Sequence, residues 1–208
     1  MLNINKKGFD KTKIYNNSLF FNKNILIIDT STDMQIVILT YEQNIIDICF
    51  NVKSKSFVSC MMPLINKILK ANSVDLFKIK KIIVGCGPGS YTGTKIGVLT
   101  AKLLSLELNI PLFKISSLLL LSSGFEKIPL TPKIKINKDY FYAISYQHNK
   151  IILAESRYST DLLVNYPNHI LLNSLNYKIA LNKLFNYLNI VDNPHELLPN
   201  YYCSNWED

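Results

Sequence analysis

The stretch Gly85-Cys86-Gly87-Pro88-Gly89-Ser90-Tyr91-Thr92-Gly93 decides how this chain is read. Four glycines and a proline stand within nine residues, after the apolar run Ile82-Ile83-Val84 and before a long apolar pattern beginning at Ile96. A strand that leads into a helix through such a segment must turn tightly. Glycine allows positive φ and close backbone approach, and Pro88 fixes its own φ and removes a donor. A second segment, Ile25-Leu26-Ile27-Ile28-Asp29-Thr30-Ser31-Thr32, has the composition of a buried strand that ends in a carboxylate and three hydroxyls.

Outward from these two segments, three strands are expected at 24–30, 34–40 and 44–50. Their links, Ser31-Thr32-Asp33 and Tyr41-Glu42-Gln43, are short enough to require antiparallel neighbours. A helix is expected over 57–70, with Pro63 forcing either a start near Met62 or a bend there. A strand at 81–85, a helix at 92–109 and a strand at 111–115 follow, and helical crossovers of this kind join parallel strands. This order matches an α/β class with a two-lobe actin-like ATPase or RNase H-like fold, the fold name being an analogy.

The second half predicts strands at 140–146 and 150–155 joined in a hairpin, a strand at 168–172, and an amphipathic helix over 176–189. The domain reading is a flexible basic extension over 1–23, a first RNase H-like lobe over 24–113 and a smaller second lobe over 114–208. The aromatic tail Leu198-Pro199-Asn200-Tyr201-Tyr202 is expected to pack back on a lobe.

The chain has 208 residues, is 48% hydrophobic and carries a net charge of +8. It is therefore globular rather than disordered. Arg157 is the only arginine, and residues 1–23 supply five lysines against one aspartate. The basic balance suits RNA contact, and compositional drift towards Lys, Asn and Ile accounts for it equally well. The four cysteines form no C-x-x-C pair, so free thiols in a reducing, cytoplasmic setting are expected. No apolar run is long enough for a bilayer-spanning helix, and no membrane partner is expected.

The candidate chemistry is sparse. His148, His169 and His195 are far apart and cannot form an i, i+4 metal pair. Asp29 is the best-placed carboxylate, but two-metal chemistry needs several such groups, and only Asp47 and Glu107 join it in the core elements of the first lobe. Capping of backbone groups at the strand end is the competing role for Asp29 and Thr30. The glycine turn differs from a P-loop, since five residues stand between Gly87 and Gly93 and the sequel is Thr94-Lys95. Weak nucleotide binding would use Asp29, Thr30, Ser31, Gly87, Gly89, Ser90, Thr92 and Gly93. Close packing of strand, helix and partner is the other reading of the same turn. Ile96, Leu99, Leu103 and Leu106 stripe the helix after it, and Met61, Met62, Ile65 and Leu69 stripe the preceding one. That much apolar surface is expected to meet a second subunit, or else the second lobe.

Ile28-Asp29-Thr30-Ser31-Thr32, Gly87-Pro88-Gly89-Ser90-Tyr91-Thr92-Gly93, Lys95-Ile96-Gly97-Val98 and Ser116-Ser117-Leu118 together resemble the TsaB family over about residues 24–120. The resemblance thins to Tyr142 and Pro199–Tyr201 beyond that. It implies a non-catalytic scaffold of actin-like fold that pairs through helices of its first lobe with a TsaD-like catalytic subunit. That subunit would transfer threonylcarbamate to an adenosine of tRNA, with a TsaE-like ATPase completing the assembly. The chain would carry no intrinsic cofactor, ATP or ADP with Mg entering in the assembled complex, and a homodimer of the chain alone is a further expected partner, with the division of helix faces between the two assemblies left open. Departures from the family pattern are Phe57, Lys135-Ile136-Asn137 and Cys203, which stand where the family has a histidine, an Asp-Ala-Arg motif and an arginine. The rival readings are an ATP-binding phosphotransferase of the same fold, which needs a second glycine turn where only Gly124 stands, and a carboxylate-poor RNase H-like nuclease.

Overall fold

A computed structural model describes residues 23–52, 59–148 and 150–201. The basic extension before Lys23, Phe57 of the expected 57–70 helix, and Cys203 fall outside the described residues.

The first sheet is built from β1 (Asn24–Asp29), β2 (Met34–Tyr41), β3 (Asn44–Val52), β4 (Ile79–Gly85), β5 (Leu112–Ile115) and β10 (Asn189–Ile190). Its strand order is β10-β5-β4-β1-β2-β3. β1 pairs antiparallel with β2 and β2 with β3, as their short links require. The pairs β1–β4 and β4–β5 are parallel, joined by crossovers through α1 (Met61–Ala71) and α2 (Tyr91–Leu108). Pro63 sits in the first turn of α1, where its missing N–H costs no intrahelical bond, so the helix starts at Met61 without a bend.

Alternation along these strands makes two cores. Leu26, Ile28, Val37, Leu39, Ile82 and Val84 face α1 and α2. Ile25, Ile27, Met34, Ile36, Ile38 and Ile83 face the other way, where they meet α3 (Ser117–Ser122) and the second lobe. The second lobe thus lies on the face of the sheet opposite α1 and α2, so it does not cover the outer side of α2.

The second sheet has the order β8-β7-β6-β9, with β6 (Thr131–Lys135), β7 (Tyr140–Gln147), β8 (Lys150–Ser159) and β9 (His169–Leu171). The expected hairpin is present as β7–β8, and a short α4 (Thr160–Leu163) follows it. Strand β6 was not foreseen, because Pro132 and two lysines in five residues mask its alternation. The helix expected over 176–189 is replaced by α5 (Leu181–Leu184), a 3-10 turn at Phe185–Tyr187 and β10. Tertiary bonds override the periodicity there. Lys178 N donates to Leu121 O, Gly124 N donates to Lys178 O, and Ala180 N donates to Ser123 Oγ, so this stretch runs extended against the end of α3. β10 then crosses back to pair with β5 of the first sheet.

Candidate functional site

Strand β1 ends at Asp29, and Gly85 at the end of β4 lies directly against it. A Cβ on Gly85 would fall on Asp29 Oδ2, so only glycine fits beside this carboxylate. Asp29 Oδ1 accepts from Ser31 N at 2.9 Å and from Ser31 Oγ at 2.7 Å. Its Oδ2 has no partner in hydrogen-bonding geometry, with the Ser117 hydroxyl the group beside it. Burial pushes the carboxyl pKa up, and the Ser117 and Ser31 hydroxyls pull it back only in part. Asp29 therefore caps the backbone where the strand ends. Thr30 does something different from the expected capping of a donor, since its Oγ1 donates to Gly93 O at 2.6 Å.

The glycine turn closes onto the same strand end. Ser90 N donates to Ser31 O at 2.6 Å and Gly87 N to Ser117 Oγ at 3.0 Å, while Ser90 Oγ caps α2 by accepting from Gly93 N. A Cβ on Gly93 would come within 2.1 Å of Thr30 O, and one on Gly89 within 2.1 Å of Ser31 O. At these two glycines the chain's own backbone oxygens take the space that a side chain would need. Seven of the eight residues of the nucleotide reading come together here, Thr92 standing exposed in the first turn of α2, and only Ser31 and Ser90 of them line the neighbouring cleft of about 470 Å³ between the lobes. Asp33, also in that cleft, is engaged by Ser174, whose N and Oγ donate to it at 2.7 and 2.6 Å. Gly124 packs beneath Lys178 and makes no second phosphate turn.

The two helical stripes divide differently from the sequence expectation. Met61, Ile65 and Leu69 are buried beneath α1 in the core of their own lobe, so they are corrected from partner-facing to core residues. An 11-residue helix lying on a sheet buries the face that carries its apolar periodicity. Ile96 is half-buried against the same core. Met62, Leu99, Leu103 and Leu106 remain outside at 40, 54, 58 and 39% exposure. Leu99, Leu103 and Leu106 have the i, i+4, i+7 spacing of one helical face.

The C-terminal segment was only partly legible. Lys102 Nζ on α2 donates to His195 O and Leu197 O, and the Tyr91 and Tyr201 rings lie 4.6 Å apart. Asn200 N donates to Cys86 O at 2.6 Å, while its Nδ2 donates to Glu155 Oε1 at 2.9 Å. Glu155 Oε2 accepts a short bond from Ser116 Oγ. Glu155 was missed because no sequence pattern marks a lone carboxylate on a hairpin strand.

A family model described as "TsaD: tRNA N6-adenosine threonylcarbamoyltransferase" matches residues 48–160, more than half of the chain. Relatives in Bacillus subtilis and Escherichia coli, both named tRNA threonylcarbamoyladenosine biosynthesis protein TsaB, are 31 and 30% identical over 134 and 100 residues. The chain belongs to the TsaB branch of the TsaD family. The alignments cover 63 and 48% of this chain, and 58 and 43% of those relatives, so the chain spans about half the length of the curated relatives it matches. A Pseudomonas aeruginosa crystal structure described as similar to peptidase YeaZ superimposes with a TM-score of 0.67 at 20% identity, over 87% of this chain and 100% of that one. A second, titled YeaZ from the same organism, gives 0.64 at 20% identity over 86 and 99%. These likenesses establish the two-lobe actin-like fold of this TsaB-family chain. Among the described residues no helix is long and apolar enough to cross a membrane.

Proposed function

We propose that this TsaB-family chain is a non-catalytic subunit of the machinery that makes threonylcarbamoyladenosine in tRNA. It docks a TsaD-like catalytic subunit on the outer face of α2 and the adjoining Met62 of α1. One observation carries the reading: among the described residues, Leu99, Leu103 and Leu106 form an apolar stripe left exposed on the outer face of α2. A stripe of this kind on a helix that already buries its opposite face is suited to a helix–helix contact. Descent supports this choice of occupant, since the chain matches the TsaD family model over residues 48–160. A TsaE-like ATPase and ATP or ADP with Mg belong to the assembled complex, and tRNA is engaged through it.

The experiment is size-exclusion chromatography with light scattering on this chain, the TsaD-like protein of the same organism, and their mixture. A 1:1 complex is expected, and Leu103→Glu should abolish it while leaving the circular dichroism spectrum unchanged. A complex that survives both Leu99→Glu and Leu103→Glu would refute the α2 face. A stripe that serves only a homodimer would show as a dimer of the chain alone, split by Leu103→Glu, with no heteromeric species in the mixture.

A further inference from the structure

Away from the glycine turn and the α2 stripe, a cleft of about 270 Å³ opens in the second lobe. Its walls come from the segment after α3, the end of β7 and the turn from α5 to β10. They include Phe125, Tyr146 and Tyr187 together with Lys127, Lys183 and Asn182. The two tyrosines are held in place. Their ring centroids lie 6.2 Å apart in an edge-to-face arrangement, Tyr187 Oη donates to His148 O at 2.9 Å, and Tyr146 Oη pairs with Ser122 Oγ at 3.0 Å. The phenol groups are tied to the protein, so an incoming ligand meets rings rather than hydroxyls. Among the described residues no carboxylate lines the cleft, and Lys127 and Lys183 bring positive charge to it.

Fixed aromatic faces select a flat π system, and two lysines beside them select an anion attached to it. An amide such as that of Asn182 adds one donor and one acceptor for a base edge. The volume falls just under the range of about 300–1,000 Å³ usual for drug-sized ligands, which suits a single base rather than an extended molecule. We infer that this second-lobe cleft binds one nucleotide, with the base against Tyr146, Tyr187 and Phe125 and the phosphate on Lys127 and Lys183. Two sources present that chemistry: a free nucleotide, and an unstacked base of single-stranded RNA. The inference goes beyond the docking reading and does not depend on it, since the chain alone is the test material.

The test is fluorescence anisotropy with a labelled 12-nucleotide single-stranded RNA, run beside calorimetry with AMP. Lys127→Glu and Lys183→Glu should each weaken binding about tenfold, whereas Lys80→Glu, an equal charge change on β4 of the first lobe, should leave it within about twofold. Tyr187→Phe keeps the ring and should retain binding, and Tyr187→Leu, checked for folding by circular dichroism, should lose about tenfold or more. Binding of RNA but not AMP assigns the site to RNA, and binding of AMP assigns it to a free nucleotide. Equal losses for Lys80→Glu and Lys127→Glu, or no binding of either probe, would overturn the inference.

Discussion

Asp29 is the carboxylate at the end of the central strand β1, and its surroundings favour the neutral acid. Its pKa is raised by burial, and the linkage sign follows from that. Near the ordinary carboxylate value of 3.8 the unfolded chain begins to lose the proton while the folded chain still holds it. Stability contributed by this group is therefore greatest at low pH. It declines as pH rises from that value to the raised folded one, and is flat above it. Asparagine is isosteric, accepts from Ser31 N through Oδ1, and can donate towards Ser117 through Nδ2. Asp29→Asn should therefore be at least as stable as the parent at pH 7, with its advantage growing as pH rises above the ordinary carboxylate value towards the raised one. Urea midpoints across that range measure this, and a loss of stability on substitution at pH 7 would show that the charge itself is needed. The residue-level sequence reading anticipated the cap because a carboxylate followed by hydroxyls at a strand end forms local bonds. It missed the Gly85 contact, which exists only once β1 and β4 lie side by side.

At the scale of elements, legibility followed locality. β1–β3, β4, α2 and the β7–β8 hairpin were all readable, because each is bounded by its own turn chemistry and carries its own period. The stretch 176–189 was misread because its periodicity is real but its backbone donors and acceptors serve Leu121 and Gly124, which no local pattern reveals. The partner stripe was half legible for a similar reason. Sequence shows which residues of α1 are apolar, and only the sheet beneath decides that Met61, Ile65 and Leu69 face inward. The end of α2 gives a test confined to one element. Asn109 closes the helix in the left-handed conformation, at φ 51°, ψ 50°, with its N–H on Leu106 O. A β-carbon is disfavoured there, and asparagine tolerates the geometry better than most residues. Asn109→Ala should cost about 1 kcal/mol and Asn109→Gly should cost nothing or stabilise slightly. Denaturant titration of the three proteins distinguishes these outcomes, and equal midpoints for Ala and Gly would remove the backbone explanation.

Across the whole molecule, two lobes of unequal size share an apolar core and are also joined by polar contacts at several places. Asp33 accepts from Ser174 in the cleft between the lobes, and Asn200 bonds to Cys86 and Glu155 elsewhere. The Asn200 clamp reaches three parts of the fold at once. Its N–H holds Cys86 O at the entrance to the glycine turn, its amide holds Glu155 on β8, and Glu155 in turn takes the Ser116 hydroxyl at the start of α3. The same clamp positions the chain for Tyr201 to pack on Tyr91, at the N-terminal end of the helix that carries the proposed docking stripe. If the clamp sets the spacing of the lobes, its chemistry should matter more than its volume. Asn200→Ala removes one hydrogen bond to a carboxylate and should cost about 1–2 kcal/mol. Asn200→Asp keeps the shape but sets a second carboxylate against Glu155, and like charges at that distance repel. At pH 7 it should lower the urea midpoint further than alanine does and speed amide exchange at Cys86 and Gly87. Exchange at those amides unchanged in both variants would mean that the apolar core alone holds the lobes together, and that the C-terminal segment follows the lobes rather than fastening them.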